Sequence, residues 1–321
     1  MTRTTAAKVY SGLRAFSVGM LALLAPPLAA QPALQSPREA SSAVATGATA
    51  KPVRARPALW VVKDNHTTIY LLGTIHLMKP QVAWFEGRLR EAYDQADEVT
   101  LEVVDDMDVS AGAMLRKAAN PDGQLTSLLL PKAIRPRLTA MAQEQRLPMN
   151  FLDRMKPWFV AVTLSMAPYQ RLGYDPKQGV DAVLKARANA DGKKLVGLET
   201  AEEQIGFLDG LHQQDQIDML VSTIEESDKA AETLNAMVGA WSKGETEKLA
   251  EEMNKSLDES PRIAKSLLFD RNARWAEWIK TRMERPGVVL LAVGAGHLAG
   301  RESLQDKLAA IGLKARRLSN R

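Results

Sequence analysis

The sequence predicts an α/β fold in which a central, mostly parallel sheet is flanked by helices and a large helical insertion forms a cap. Apolar runs of strand length alternate with stretches of helical period, the signature of a sheet covered by crossover helices. Two of those runs, Ile69–Leu72 and Val288–Val293, are apolar throughout, as strands buried on both faces are. The stretches at about 110–175 and 215–285, by contrast, read as little but helix.

Taken in chain order, two extended runs, Ala58–Val62 and Thr67–Gly73, flank Lys63-Asp64-Asn65-His66, whose Asp-Asn pair suits a tight turn, so a hairpin is expected. From Trp84 to Ala96 the apolar positions fall at helical spacing, and a strand follows near Glu98–Val104. Between Ser110 and Gly173 the pattern is helical, with Pro131, Pro136, Pro148 and Pro157 at breaks or first turns and Trp158–Met166 long and apolar enough for a buried helix. Gly179–Ala190 is then a helix, Lys194–Leu198 a strand and Ala201–Leu211 a helix. Amphipathic helices punctuated at Gly244 and Ser260-Pro261 fill the chain to Arg285; strand Val288–Val293, helix Arg301–Ile311 and strand Lys314–Leu318 close it.

With 321 residues, 45% apolar and 25% charged, the chain has the composition of a globular protein able to bury a sizeable core. It has no cysteine, which removes disulfides, thiolate metal sites and a cysteine nucleophile, and leaves only nitrogen and oxygen donors for any metal. The net charge of +4 is concentrated at the start. Residues 1–57 hold seven basic residues against Glu39, leaving 35 basic and 37 acidic residues from Ala58 onward. A nucleic-acid-binding body is not supported by that balance.

Met1–Ala30 has the form of a secretory signal: basic residues up to Arg14, an apolar stretch Ala15–Ala25 too short to span a bilayer, then Pro26-Pro27 and Ala29-Ala30. Cleavage near Ala30 and a periplasmic location are expected, with no membrane span in the mature protein. Residues 31–57, rich in Ala, Ser, Pro and Thr, are expected to be a disordered linker, and 58–321 the folded domain.

The chemistry is concentrated where the strands end. Ile69–Leu72 runs into Gly73-Thr74-Ile75-His76, and Val289–Val293 into Gly294-Ala295-Gly296-His297, so one G-x-x-H pattern occurs twice. Glycine after a strand permits a sharp turn or close backbone approach, and the histidine three residues on can project above the sheet edge. Glu102 and Glu199 stand where two other apolar runs stop. In open α/β sheets ligands bind beyond the carboxyl ends of the strands, so these four groups are expected to converge there. His76, His297, Glu102 and Glu199 would make a complete ligand set for a divalent metal such as Zn²⁺, Mn²⁺ or Co²⁺, with positions open for water. Without a metal, His76 or His297 could serve as a general base with a carboxylate holding the ring. His66, at a turn tip, and His212, at a helix end, are expected to stay outside the site. The thirteen methionines are spread through the predicted helices as core filler.

Trp60, Tyr70–His76, Leu101-Glu102, Gly197–Thr200 with Gln204, Arg271-Asn272 with Trp275, and Val293–Leu298 together resemble the TraB/GumN family, in the expected order over about residues 58–320. That family is similar to the Tiki metalloproteases and, more distantly, to erythromycin esterases and ChaN-like proteins. The resemblance implies a compact α/β fold with the paired histidines and acids at its centre. It also implies metal-dependent peptide cleavage as in Tiki, a His base that opens a lactone as in the esterase-like enzymes, or restraint of a peptide pheromone as in TraB. Arg271 and Asn272 match a polar pair that could orient substrate or stabilise developing charge; a surface charge paired with Asp270 is the alternative for Arg271. Asp181 falls at a position the family keeps polar, and a helix N-terminal acid explains it equally well. The expectation is therefore an exported metal-dependent hydrolase acting on a peptide or small secreted substrate, with His76, His297, Glu102 and Glu199 as ligands and Glu102, Glu199, Arg271 and Asn272 as catalytic groups. A non-enzymatic peptide- or factor-binding protein and a metal-free His-base hydrolase are the alternatives.

Overall fold

The computed structural model describes residues 53–105, 107–251 and 260–319. The expected signal segment and most of the expected linker lie outside the described residues. Val53–Arg54 (β1), within the stretch expected to be linker, already pairs in parallel with Val82–Ala83 (β4), and Ala55 is buried.

The remaining strands, Leu59–Lys63 (β2), Thr67–Thr74 (β3), Glu98–Leu101 (β5), Lys194–Gly197 (β6), Gly287–Gly294 (β7) and Arg316–Arg317 (β8), form one six-stranded sheet in the order β6-β5-β7-β3-β2-β8. Neighbours among β6, β5, β7 and β3 are all parallel, and β2 alone runs against them, as the first arm of the expected hairpin. Asp64 makes the hairpin turn: its carboxylate accepts from the backbone N–H groups of His66 and Thr67 at 2.9 and 2.8 Å, an Asx-type closure.

Side chains alternate across β3 and β7 as a pleated strand requires. Ile69, Leu71, Val289, Leu291 and Val293 face Trp275 and Ile279 of helix Asp270–Met283 and Leu304 and Leu308 of helix Leu304–Ala310. Leu72, Leu290 and Ala292 face the opposite layer, built from helices Gly87–Gln95, Val180–Ala190 and Ala230–Lys243. Two covered faces explain why both strands are apolar without interruption.

The helical cap has its own core. Helices Met107–Ala118, Arg135–Glu144, Pro157–Arg171, Ala201–Asp209 and Gln213–Glu225 contribute to one cluster that includes Trp158, Phe159, Leu220 and Leu267. Within Pro157–Arg171, Pro168 cannot donate to the Leu164 carbonyl, and the side-chain amide of Gln145 donates to that oxygen at 2.9 Å instead. The stretch expected as a single insertion over 215–285 is divided between layers. Gln213–Glu225 joins the cap, whereas Ala230–Lys243 and Asp270–Met283 cover the two sheet faces. Among the described residues no helix is long and apolar enough to cross a membrane.

Leu291 lies fully buried at the middle of β7, between β3 and β5. Leu291→Ala leaves a cavity that this tightly paired strand cannot collapse around, and should cost about 2–5 kcal/mol of unfolding free energy, measurable by urea denaturation of the purified protein.

Candidate active site

Four parallel strands end at the same edge, and each delivers one side chain: β3 leads to His76, β7 to His297, β5 to Glu102 and β6 to Glu199. The two G-x-x-H motifs are neighbours because β3 and β7 pair in register, with Thr74 opposite Gly294. Both first glycines are required by crowding. A Cβ on Gly73 would stand 3.0 Å from the Cα of Ala295; one on Gly294 would stand 3.1 Å from Glu102 Oε1 and 3.5 Å from His76 Nε2.

Helix Asp270–Met283 brings a fifth group into the centre. Its Arg271 is 1% exposed. Nη2 donates to Glu102 Oε2 at 2.6 Å and to Glu199 Oε2 at 2.7 Å, and Nε donates to Glu199 Oε1 at 2.9 Å. Nη1 donates to the Leu267 carbonyl at 3.1 Å and lies 3.2 Å from His297 Nε2. Leu267 belongs to a π turn, Lys265–Phe269, immediately before the helix, and such a turn leaves a carbonyl out of the ordinary ladder. Gln204 bridges the two carboxylates from the other side, donating to Glu102 Oε2 at 2.9 Å and to Glu199 Oε2 at 3.2 Å. Glu102 Oε1 accepts from the backbone N–H of Gly294 at 2.6 Å.

The two histidines are held differently. His297 Nδ1 lies 2.7 Å from the side-chain oxygen of Asn272, which can only accept, so Nδ1 carries the proton and Nε2 accepts from Arg271. Burial, reinforced by the Arg271 charge, pushes the His297 pKa down to about 3. This ring stays neutral. His76 Nδ1 lies 2.7 Å from Asp181 Oδ1, in the first turn of helix Val180–Ala190. Burial lowers its pKa, but the charge and hydrogen bond of Asp181, with a further contribution from Glu102, outweigh that effect and leave it raised. The helix is seated by Val180 N–H donating to the Ile75 carbonyl at 2.9 Å, and a Cβ on Gly179 would come within 2.3 Å of the His76 carbonyl oxygen. Burial raises the Glu102 carboxyl, yet Arg271 and the two imidazoles reverse this and hold it at about 2.

The structure thus brings His76, Glu102, Glu199, Arg271, Asn272 and His297 together, and it overturns the expected metal centre. Among the described residues no group of three or more His, Asp or Glu is arranged to hold a metal ion. The place a divalent cation would take between Glu102 and Glu199 is filled by the guanidinium, His297 Nε2 is turned to that guanidinium, and His76 Nδ1 is turned to Asp181. The reading of His76, His297, Glu102 and Glu199 as ligands of Zn²⁺, Mn²⁺ or Co²⁺ in a metalloprotease-like hydrolase is therefore corrected: the cation of this site is an arginine. Arg271 is not the surface charge offered as its alternative; Lys265 takes Asp270 instead. His66 is exposed beside Asp64, and His212 stands exposed at the N-cap of helix Gln213–Glu225 without a side-chain cap bond. Two site residues escaped sequence reasoning: Arg274, one turn from Arg271, whose Nη2 donates to Glu199 Oε1 at 3.0 Å, and Phe207, which packs under both guanidinium groups.

The model of the TraB/PrgY/gumN family matches residues 58–317, which takes in every one of these groups. The chain belongs to the TraB/PrgY/gumN family. It is 25% identical over 260 residues to the uncharacterized protein YbaP of Escherichia coli (strain K12), covering 78% of this chain and 92% of YbaP. The same figures hold for YbaP of Shigella flexneri, and an uncharacterized protein of Treponema pallidum (strain Nichols) is 22% identical over 268 residues, 77% of this chain and 78% of its own length. This TraB/PrgY/gumN member carries both G-x-x-H motifs at the paired strand ends.

Removing Arg271 would strand two buried carboxylates, and breaking a buried pair by deleting one partner costs about 3–5 kcal/mol. Arg271→Ala should lower the unfolding free energy by at least that range in chemical denaturation, far more than Arg274→Ala, whose side chain is half exposed.

Acid should unfold this site in two stages. Glu102, at about 2 when folded against its ordinary 4.5, contributes stability that is complete above about pH 4.5 and is lost as the pH falls towards 2. His297, at about 3 against 6.5, refuses a proton that the unfolded chain accepts, so stability already declines as the pH falls below 6.5. His76 acts oppositely, its contribution being lost as the pH rises through its raised value. Denaturation midpoints should fall from about pH 6.5 and more steeply below 4.5, and His297→Gln should remove the first stage.

Proposed function

We propose that this chain is a metal-independent hydrolase acting outside the cytoplasm on an ester or amide of a small secreted substrate, with His76 as general base. The supporting observation is the Asp181–His76 pair. With Nδ1–H donated to Asp181 Oδ1 at 2.7 Å, the lone pair of the ring resides on Nε2, which lies 3.5 Å from where a Cβ on Gly294 would stand. The buried hydroxyl of Thr74, in register with Gly294, has no hydrogen-bond partner among the described residues and fits a water held at this strand end.

In the reaction, Nε2 of His76 removes a proton from that water as its oxygen attacks the acyl carbon, and then returns the proton to the leaving oxygen or nitrogen. Asp181 orients the ring and, with Glu102, stabilises the imidazolium that forms. His297 is excluded as the base because its Nε2 lone pair is committed to Arg271. Arg271, Glu199 and Asn272 act as positioning residues: they fix Glu102 and the His297 ring rather than touch the substrate.

The test is hydrolysis of a panel of chromogenic esters and peptide amides in the presence of a chelator. Activity should survive chelation, fall by about 10²-fold or more in His76→Ala, and rise with pH through a midpoint above 6.5. Asp181→Asn should move that midpoint down, because the negative charge that raises it is gone. Activity abolished by chelation, activity retained in His76→Ala, or no hydrolysis on the panel overturns the proposal.

A further inference from the structure

One guanidinium at this site is neither buried nor fully used. Arg274 lies on the same helix as Arg271, with its side chain 53% exposed while that of Glu199 beneath it is 3% exposed. It gives one N–H to Glu199 Oε1, and its plane rests over the Phe207 ring at 4.9 Å. Seated against that ring and bonded at one corner, the group is restrained, yet about half of the side chain remains open to solvent. A guanidinium preorganised in this way is a fork for a planar carboxylate. The adjacent Glu199 charge disfavours a phosphate dianion more than a monoanion.

The position of the fork sets a distance. Arg274 sits over Glu199, which follows β6, and His76 follows β3; the order β6-β5-β7-β3 puts three strand spacings between them. At about 4.8 Å each the backbones at the two strand ends are about 14 Å apart, the span of roughly four residues of extended chain at about 3.5 Å per residue. We propose that Arg274, backed by Phe207, is the anchor for a substrate carboxylate lying about four residues from the bond presented to His76. The inference rests on the reaction proposed above for its direction, and on Arg274 and Phe207 alone for the anchor.

Binding tests it without requiring turnover. Fluorescently labelled peptides of two, four and seven residues, each as the free carboxylate and as the carboxamide, are titrated into the full mature chain and into its His76→Ala variant by anisotropy. The four-residue carboxylate should bind at least tenfold more tightly than its carboxamide and more tightly than the two-residue carboxylate, in both proteins. Arg274→Gln should erase the carboxylate preference and Arg274→Lys should retain part of it, with thermal unfolding reporting whether each variant is folded. The carboxylate–carboxamide comparison on the unmutated chain stands even if both variants fail to fold. Equal binding of the two forms, a preference that survives Arg274→Gln, or no binding of any peptide overturns the anchor. Hydrolysis without carboxylate preference overturns it and leaves the His76 reaction standing; carboxylate-selective binding without hydrolysis does the reverse.

Discussion

A single buried arginine organises the carboxyl edge of the sheet. Two carboxylates brought to adjacent strand ends repel each other and lose most of their hydration, a cost that only a shared cation with directed donors offsets. Arg271 supplies it from outside the sheet, across the layer boundary, and is itself restrained by its own helix through Leu267 and by the stacked ring of Trp275. The arrangement makes the cap, the covering helix and the sheet edge mutually dependent. Gln204 comes from the cap, Arg271 from a face helix, and Glu102 and Glu199 from the strands, so displacing any one layer removes hydrogen bonds from the buried carboxylates.

The same interaction sets the two histidines apart. They occupy equivalent positions in equivalent motifs, but one ring abuts the guanidinium and the other abuts a carboxylate, and their proton affinities move in opposite directions. A duplicated local pattern thus holds two imidazoles whose proton affinities are shifted in opposite directions. His297 is a neutral structural acceptor clamped between Asn272, Arg271 and the Trp275 ring at 4.3 Å, whereas His76 retains a basic nitrogen.

Much of this was legible in the chain. Uninterrupted apolar runs announced the strands buried on both faces, and the places where those runs stop located His76, Glu102, Glu199 and His297 at one edge. What the pattern did not carry was the partner of each group. A strand ending in glutamate reads the same whether the carboxylate meets a metal or a guanidinium, and the deciding residue lies about 170 positions away from Glu102. Asp181 looked like any first-turn acid because its hydrogen bond to His76 spans 105 positions. Arg274 and Phe207 left no periodic or motif signal, since stacking between two helices depends on their packing angle. Residues of low hydropathy can still pair when an unclaimed strand edge, here β4, lies beside them.

The π turn before Arg271 adds a constraint of a different sort. An α-helix advances about 100° per residue, so the additional residue accommodated between Lys265 and Phe269 sets the rotational phase of everything downstream. Evolutionary loss of one residue in that stretch would swing Arg271 round the helix axis and out of reach of both carboxylates, although every polar group of the cluster would remain spelled out in the gene. Chain length across five positions is as much a determinant of this centre as the identity of its side chains, and relatives that retain all the motif letters but differ there in length would have abandoned the arrangement.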